Sequence, residues 1–139
     1  MLIISFIVQV VNEIQDETHY IRPQCSYLIY SPYRRKEIWR FLTYMFLHVN
    51  YKHLISNVVL QLLVALPLEL SHGTKRVTLV YTFGVISGSL ATSVFDRNVF
   101  LAGASGGVYA LAAAHLAALT LNWGSDVYIL RQRFRRRQD

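Results

Sequence analysis

Charged residues cut this chain into long uncharged blocks. No Asp, Glu, Lys or Arg occurs for 16 residues between Lys52 and Glu69, for 19 between Arg76 and Asp96, or for 28 between Arg97 and Asp126. Met1 to Asn12 is uncharged as well. A core helix of a water-soluble domain keeps a polar face, whereas these blocks are apolar all round. A membrane-crossing helix needs about 20 predominantly apolar residues; the second and third long blocks meet this and the first falls just short. The pattern predicts a second helix over 53–70 with Ser71-His72-Gly73 as its exit, a third over 75–94, and a fourth over 105–121 that stops before Asn122-Trp123-Gly124. The opening run, residues 1–11, is too short to span alone. It reads as the end of a first helix, with a re-entrant or surface-lying segment as the alternative. It lacks the basic start and small-residue cleavage site of a signal peptide. The expected fold class is all-α, a polytopic membrane helix bundle.

Small residues mark the packed faces. Gly84, Gly88 and Thr92 recur every four residues in the third helix, as do Ala102, Gly106, Ala110, Ala114 and Ala118 through the fourth. Such stripes let helix backbones approach closely in lipid. The fourth helix is small on nearly every face, which suits the centre of a bundle. Residues 12–43 read as a long loop with an acidic cluster (Glu13, Asp16, Glu17), Pro23 and Pro32, and the basic run Arg34, Arg35, Lys36. Aromatics crowd its second half and exit, from Tyr20 through Tyr27, Tyr30, Tyr33, Trp39 and Phe41 to Tyr44 and Phe46. Tyrosine and tryptophan favour the headgroup level, so the loop is expected to lie partly in the interface. Residues 122–139 read as a basic tail, either a loop or the approach to a further helix.

Composition agrees. The 139 residues are 53% apolar and 16% charged, against roughly 25% charged in soluble domains. The net charge of +6 does not point to nucleic acid. Its densest part, Arg131, Arg133, Arg135, Arg136 and Arg137, follows the last apolar block, where basic clusters mark a cytoplasmic helix end or meet anionic lipid. With these five counted, lysine and arginine split seven against seven between the two sides, and the density of the tail is expected to place it in the cytoplasm. Cys25 is the single cysteine, so no internal disulfide forms.

Polar residues inside a membrane are costly and are functional suspects. His53, Ser56, Asn57, Gln61 and Glu69 fall in the second helix, Ser105 and His115 in the fourth. His53 and Asn57, four apart, share a helix face. They could simply hydrogen-bond neighbouring helices. Ser105 sits in Gly103-Ala104-Ser105-Gly106-Gly107, where glycine allows a tight turn and close approach. A serine there is also a good helix cap. Yet the first free N–H groups of that helix would face whatever lies beside its hydroxyl, a place for a developing oxyanion. Tyr109, one turn on, could line the same site or pack plainly.

These residues resemble a family. Trp39-Arg40, then FLTYMFLHVNYKHLISN over 41–57, Pro67-Leu68-Glu69, and GASGGVYAL over 103–111 are similar to the rhomboid intramembrane serine proteases, in particular the animal rhomboids that cleave membrane-tethered growth-factor precursors. The resemblance covers roughly 28–124. It implies a bundle of six helices, often seven, of which this chain would hold about four. By resemblance Ser105 is the nucleophile. His53 and Asn57, with the Ser105 N–H, stabilise the oxyanion. Tyr109 packs against the catalytic histidine, Gly103 and Gly106 flank the serine, Trp39 and Arg40 form the membrane-embedded loop motif, and Glu69 is an internal hydrogen-bonding anchor. The substrate would be a transmembrane segment cut near its extracellular or luminal end, in the secretory pathway or plasma membrane, with no metal or cofactor.

The family's general-base histidine lies on the sixth helix, and the chain ends at Asp139 before it. His115 lies about 15 Å up the same helix as Ser105, out of reach of a 2.6–3.2 Å contact. His72 is at the far end of the second helix, His48 on the serine side, and His53 in the oxyanion position. Serine without a base is a weak nucleophile, so the 139-residue polypeptide alone is expected to be inactive. Two other classes compete. A rhomboid-like pseudoprotease would bind transmembrane clients without cutting them. A transporter or channel would show paired broken helices in repeated halves, and no internal repeat is present.

Overall fold

The computed structural model describes residues 27–49 and 51–135, apart from the side chains of residues 51 and 123–135. The expected first helix, 1–11, and the loop as far as residue 26 lie outside the described residues. Four helices follow: α1 (Arg40–Thr43), which runs into a 3-10 turn at Tyr44–Phe46, α2 (Tyr51–His72), α3 (Thr74–Phe95) and α4 (Ser105–Arg135). Among the described residues there is no strand, only an isolated antiparallel bridge between Tyr30 and Leu101.

The long apolar blocks become α2 and α3. Residues 52–72 and 74–95 are each long and apolar enough to cross a membrane. On α2 one stripe is buried, Leu54, Asn57, Gln61, Ala65 and Leu68, at the three- and four-residue spacing of one helix face. The remaining faces expose Ile55, Val59, Leu62, Leu63 and Leu66, an apolar surface suited to acyl chains. Gly73 alone joins α2 to α3. Its φ of +81° is open to glycine without strain, and its N–H closes onto Glu69 O at 2.9 Å.

The stripes of small residues form the α3–α4 seam. Val77, Tyr81, Val85 and Ser89 point inward from α3. A Cβ on Gly84 would overlap the Ala110 methyl and lie 2.9 Å from Gly106 O; one on Gly107 would lie 2.5 Å from the Tyr81 ring. Backbones this close are what small-residue stripes permit.

Helix α4 departs from expectation. It continues to Arg135, through Asn122-Trp123-Gly124 and most of the expected basic tail. One interior glycine costs only about 1 kcal/mol, and the stretch beyond it ends in Leu130, Arg131, Gln132, Arg133 and Arg135, all good helix formers.

The second half of the aromatic loop is ordered by successive turns, Arg34 N–H to Ser31 O at 3.1 Å and Glu37 N–H to Arg34 O at 3.0 Å. Tyr30, Tyr44 and Met45 from this segment join Ala65, Leu68, Tyr81, Val85, Ala104, Val108 and Leu111 in one core. The loop is therefore packed into the bundle, against the start of α4.

Candidate active site

Ser105 is the first residue of α4, and its side chain is partly buried. Val108 N–H bonds Ala104 O at 3.1 Å. The N–H groups of Ser105, Gly106 and Gly107 thus precede the helical ladder, where intrahelical partners are lacking.

The loop before the serine is shaped by Gly103. Its φ is +125°, a conformation closed to ordinary side chains. A Cβ there would stand 2.7 Å from Cε1 of His53. The His53 imidazole is pressed against the backbone two residues ahead of the serine, so the two motifs fifty residues apart in sequence meet. Asn57 is buried one turn further along α2, and its Nδ2 donates to His53 O at 2.8 Å. An amide nitrogen carries two protons, so this bond uses one of them.

His48, for which the sequence suggested only a location, is part of this cluster. Its ring centroid lies 5.2 Å from that of His53, and its Nε2 accepts the Ala104 N–H at 3.4 Å. Burial, reinforced by the charge of His53, pulls His48 from the usual 6.5 down to about 4. At neutral pH the ring is uncharged and free to accept.

Tyr44 escaped sequence reasoning. Its carbonyl accepts Gly103 N–H at 3.0 Å, and its hydroxyl donates to Val85 O at 2.8 Å. Burial, and then the nearby Tyr81, push that hydroxyl up to about 12, so it stays a donor. A Cβ on Gly106 would lie 3.0 Å from the same oxygen. Tyr44 thereby joins the loop, α3 and the serine turn. The one available signal was a tyrosine four residues ahead of His48.

The other expected residues divide. Arg40 is 1% exposed, donating to Glu37 Oε2 at 2.7 Å and Ile29 O at 2.8 Å, so it fixes the loop internally. Trp39 is half-exposed and donates to Tyr27 O at 3.3 Å. Tyr109 is 68% exposed among the described residues. Glu69 lies near the opposite end of α2, partly buried, and its carboxylate makes no hydrogen bond among the described residues. His115 lies ten residues beyond Ser105 on the same helix, about 15 Å away along the axis.

A family model described as "Rhomboid domain" matches residues 35–132. Rhomboid-related protein 3 of Homo sapiens is 55% identical over 96 residues, 69% of this chain and 24% of that protein. Rhomboid-related protein 1 of Caenorhabditis elegans is 50% identical over 95 residues, covering 68% and 27%. Inactive rhomboid-related protein 2 of Caenorhabditis elegans is 38% identical over 101 residues, covering 73% and 29%. The chain thus spans about a quarter of the length of these curated relatives. Because the match takes in the loop, α2, α3 and the serine turn together, the chain belongs to the rhomboid family of membrane proteins.

Proposed function

We propose that this chain carries the nucleophile half of an intramembrane serine endopeptidase that cuts transmembrane segments of membrane-anchored proteins. The observation that carries the reading is the His53 ring packed on Gly103 at the head of α4. Ser105 Oγ attacks the scissile carbonyl. The oxygen that gains charge is held by the Ser105 N–H, the His53 imidazole and the remaining Asn57 N–H. Each such donor, acting in a water-poor site, is worth about 10²–10³ in turnover.

None of the four described histidines suits the role of base. His48 Nε2 is engaged by Ala104, His53 sits at the oxyanion, and His72 and His115 are distant. The base comes from another segment of the protein, with the catalytic bundle completed around α4. The protein is multi-pass, in the secretory pathway or plasma membrane, with the arginine-rich end of α4 in the cytoplasm. A client-binding pseudoprotease is the second reading, favoured by the relative named inactive.

The test compares the 139-residue chain with a longer form that includes a base histidine, each in lipid nanodiscs with a transmembrane reporter. The longer form should cleave and its Ser105→Ala variant should lose about 10⁶ in rate, while the shorter one binds the reporter without cutting it. Cleavage that survives Ser105→Ala, or reporter binding with no cleavage by the longer form, overturns the protease reading; the latter is the result for a pseudoprotease.

A further inference from the structure

Two polar side chains inside the bundle have no part in the proposed chemistry, Gln61 on α2 and His115 on α4. Gln61 is 6% exposed, and its Nε2 has no hydrogen-bond partner among the described residues. A primary amide buried without one is costly, above all inside a membrane. Gln61 lies on the inward stripe of α2 between Asn57 and Ala65, eight residues past His53.

The helix contacts show what stands opposite. A Cβ on Gly84 would meet Ala110 and one on Gly88 would meet Gly106, so α3 runs against α4. Helix α2 runs against α3 through the one-residue turn at Gly73, so α2 and α4 run the same way. They start together, where His53 packs on Gly103. Gln61 is then about 12 Å below His53, and His115 is about 15 Å below Ser105, within one turn of the same depth. On α3, twelve residues from Gly73 as Gln61 is, stands the apolar Val85. Of its neighbours on that face, Ser89 donates to Phe41 O at 2.8 Å, and the Tyr81 ring covers Gly107. Helix α4 offers one polar side chain between Tyr109 and Thr120, and that is His115. It follows Val108 by seven and Leu111 by four, which places it on their stripe. Those two are 1% and 0% exposed and share a core with Ala65 and Leu68 of α2.

We infer that Gln61 and His115 are hydrogen-bonded across the α2–α4 seam, the Gln61 amide donating to a ring nitrogen of His115 directly or through one water. An imidazole in its neutral form offers one such acceptor. Helices in lipid lack a hydrophobic drive to associate, and polar side chains help to fix how they meet. This contact lies on the two helices that carry His53 and Asn57 on one side and Ser105 on the other. It sets how far the α2 donors stand from the serine turn. Both are positioning residues and touch no substrate. The pairing stands apart from the protease reading; only its effect on turnover rests on that reading.

Two measurements on the full chain in lipid nanodiscs test the pairing. Nitrogen-15 spectra of the histidine-labelled chain report the hydrogen bonding of each ring nitrogen, with His115→Phe assigning the signal. Gln61→Met keeps the length and removes the donor, so it should move the His115 signal and leave that of His72 in place. Reversible unfolding of Gln61→Met, His115→Phe and the double variant should show a coupling of about threefold or more in the unfolding equilibrium, the size of an interhelical hydrogen bond in lipid. His115→Gln restores an acceptor and should recover most of what His115→Phe loses. In the longer form with a base histidine, Gln61→Met and His115→Phe should lower kcat and leave KM unchanged. An unmoved His115 signal, or strictly additive unfolding, overturns the pairing. Coupling with an unaltered kcat overturns the positioning role. Coupling in a longer form that never cleaves supports the pairing and refutes the protease reading.

Discussion

At the scale of single residues, the site is held by contacts with little slack. Gly103 combines a φ of +125° with a His53 ring where its Cβ would stand. Gly103→Ala should cost about 2 kcal/mol or more, since a side chain in that conformation is strained before any clash is counted. Adding His53→Ala should restore only the contact part. Thermal melting of Gly103→Ala, His53→Ala and the double variant separates the two, and full rescue by His53→Ala would refute the backbone share. His48 makes a second prediction. Its proton is gained near 6.5 in the unfolded chain but near 4 in the folded one. Between those values the unfolded state holds more protons, so stability is complete above pH 6.5 and falls as pH drops through the window. Water reaches part of the ring and screens its charge, so the loss stays well short of the roughly 3 kcal/mol that the whole shift would carry. His48→Gln should flatten the profile between pH 7 and 4.5; identical slopes in the two proteins would refute this.

At the scale of elements, the seam between α3 and α4 depends on absent side chains. Gly84, Gly106 and Gly107 each face a neighbour that a methyl group would strike. This was legible in the sequence, because in lipid a four-residue stripe of small residues has few uses besides helix contact. Tyr44, which plugs the same seam, was not legible. The path of residues 27–46 follows from tertiary contacts, and no period in the sequence constrains it. The end of α4 was misplaced for a related reason: Gly124 is a local stop signal, and surrounding helix formers outweigh it. The seam can be tested through its plug. Tyr44→Phe removes the bond to Val85 O and should cost about 1 kcal/mol. Gly106→Ala should cost more, because its Cβ meets both Tyr44 Oη at 3.0 Å and Gly84 O at 3.2 Å. The double variant should cost less than the sum, since losing the hydroxyl opens space for the methyl. Strict additivity in denaturation would show that the two do not share a seam.

At the scale of the whole molecule, the loop holds the serine turn in place from outside the spanning helices. The sequence showed that His53 and Ser105 could meet, through the helix face of one and the glycines around the other. It did not show that Ala104 and Gly103 are tied to His48 and Tyr44, because those ties need the loop folded back over α4. Arg40 is where that fold is secured. It is buried, joined to Glu37 and to Ile29 O, and four residues from the tyrosine whose carbonyl takes the Gly103 N–H. Ser89 adds a link from α3, its hydroxyl donating to Phe41 O at 2.8 Å. Removing Arg40 strands a half-buried carboxylate and an inner carbonyl together, and lysine cannot replace a guanidinium that uses two of its nitrogens. Both Arg40→Ala and Arg40→Lys should therefore loosen a connected unit. Hydrogen exchange should quicken at the Gly103 amide and along 29–46, while amides in the middle of α2 keep their protection. If exchange rises evenly over α2, α3 and the loop, the bundle opens as one body and the loop has no separate hold on Ser105. If it rises in the loop but not at Gly103, the serine turn is kept in place by α3 and α2 alone.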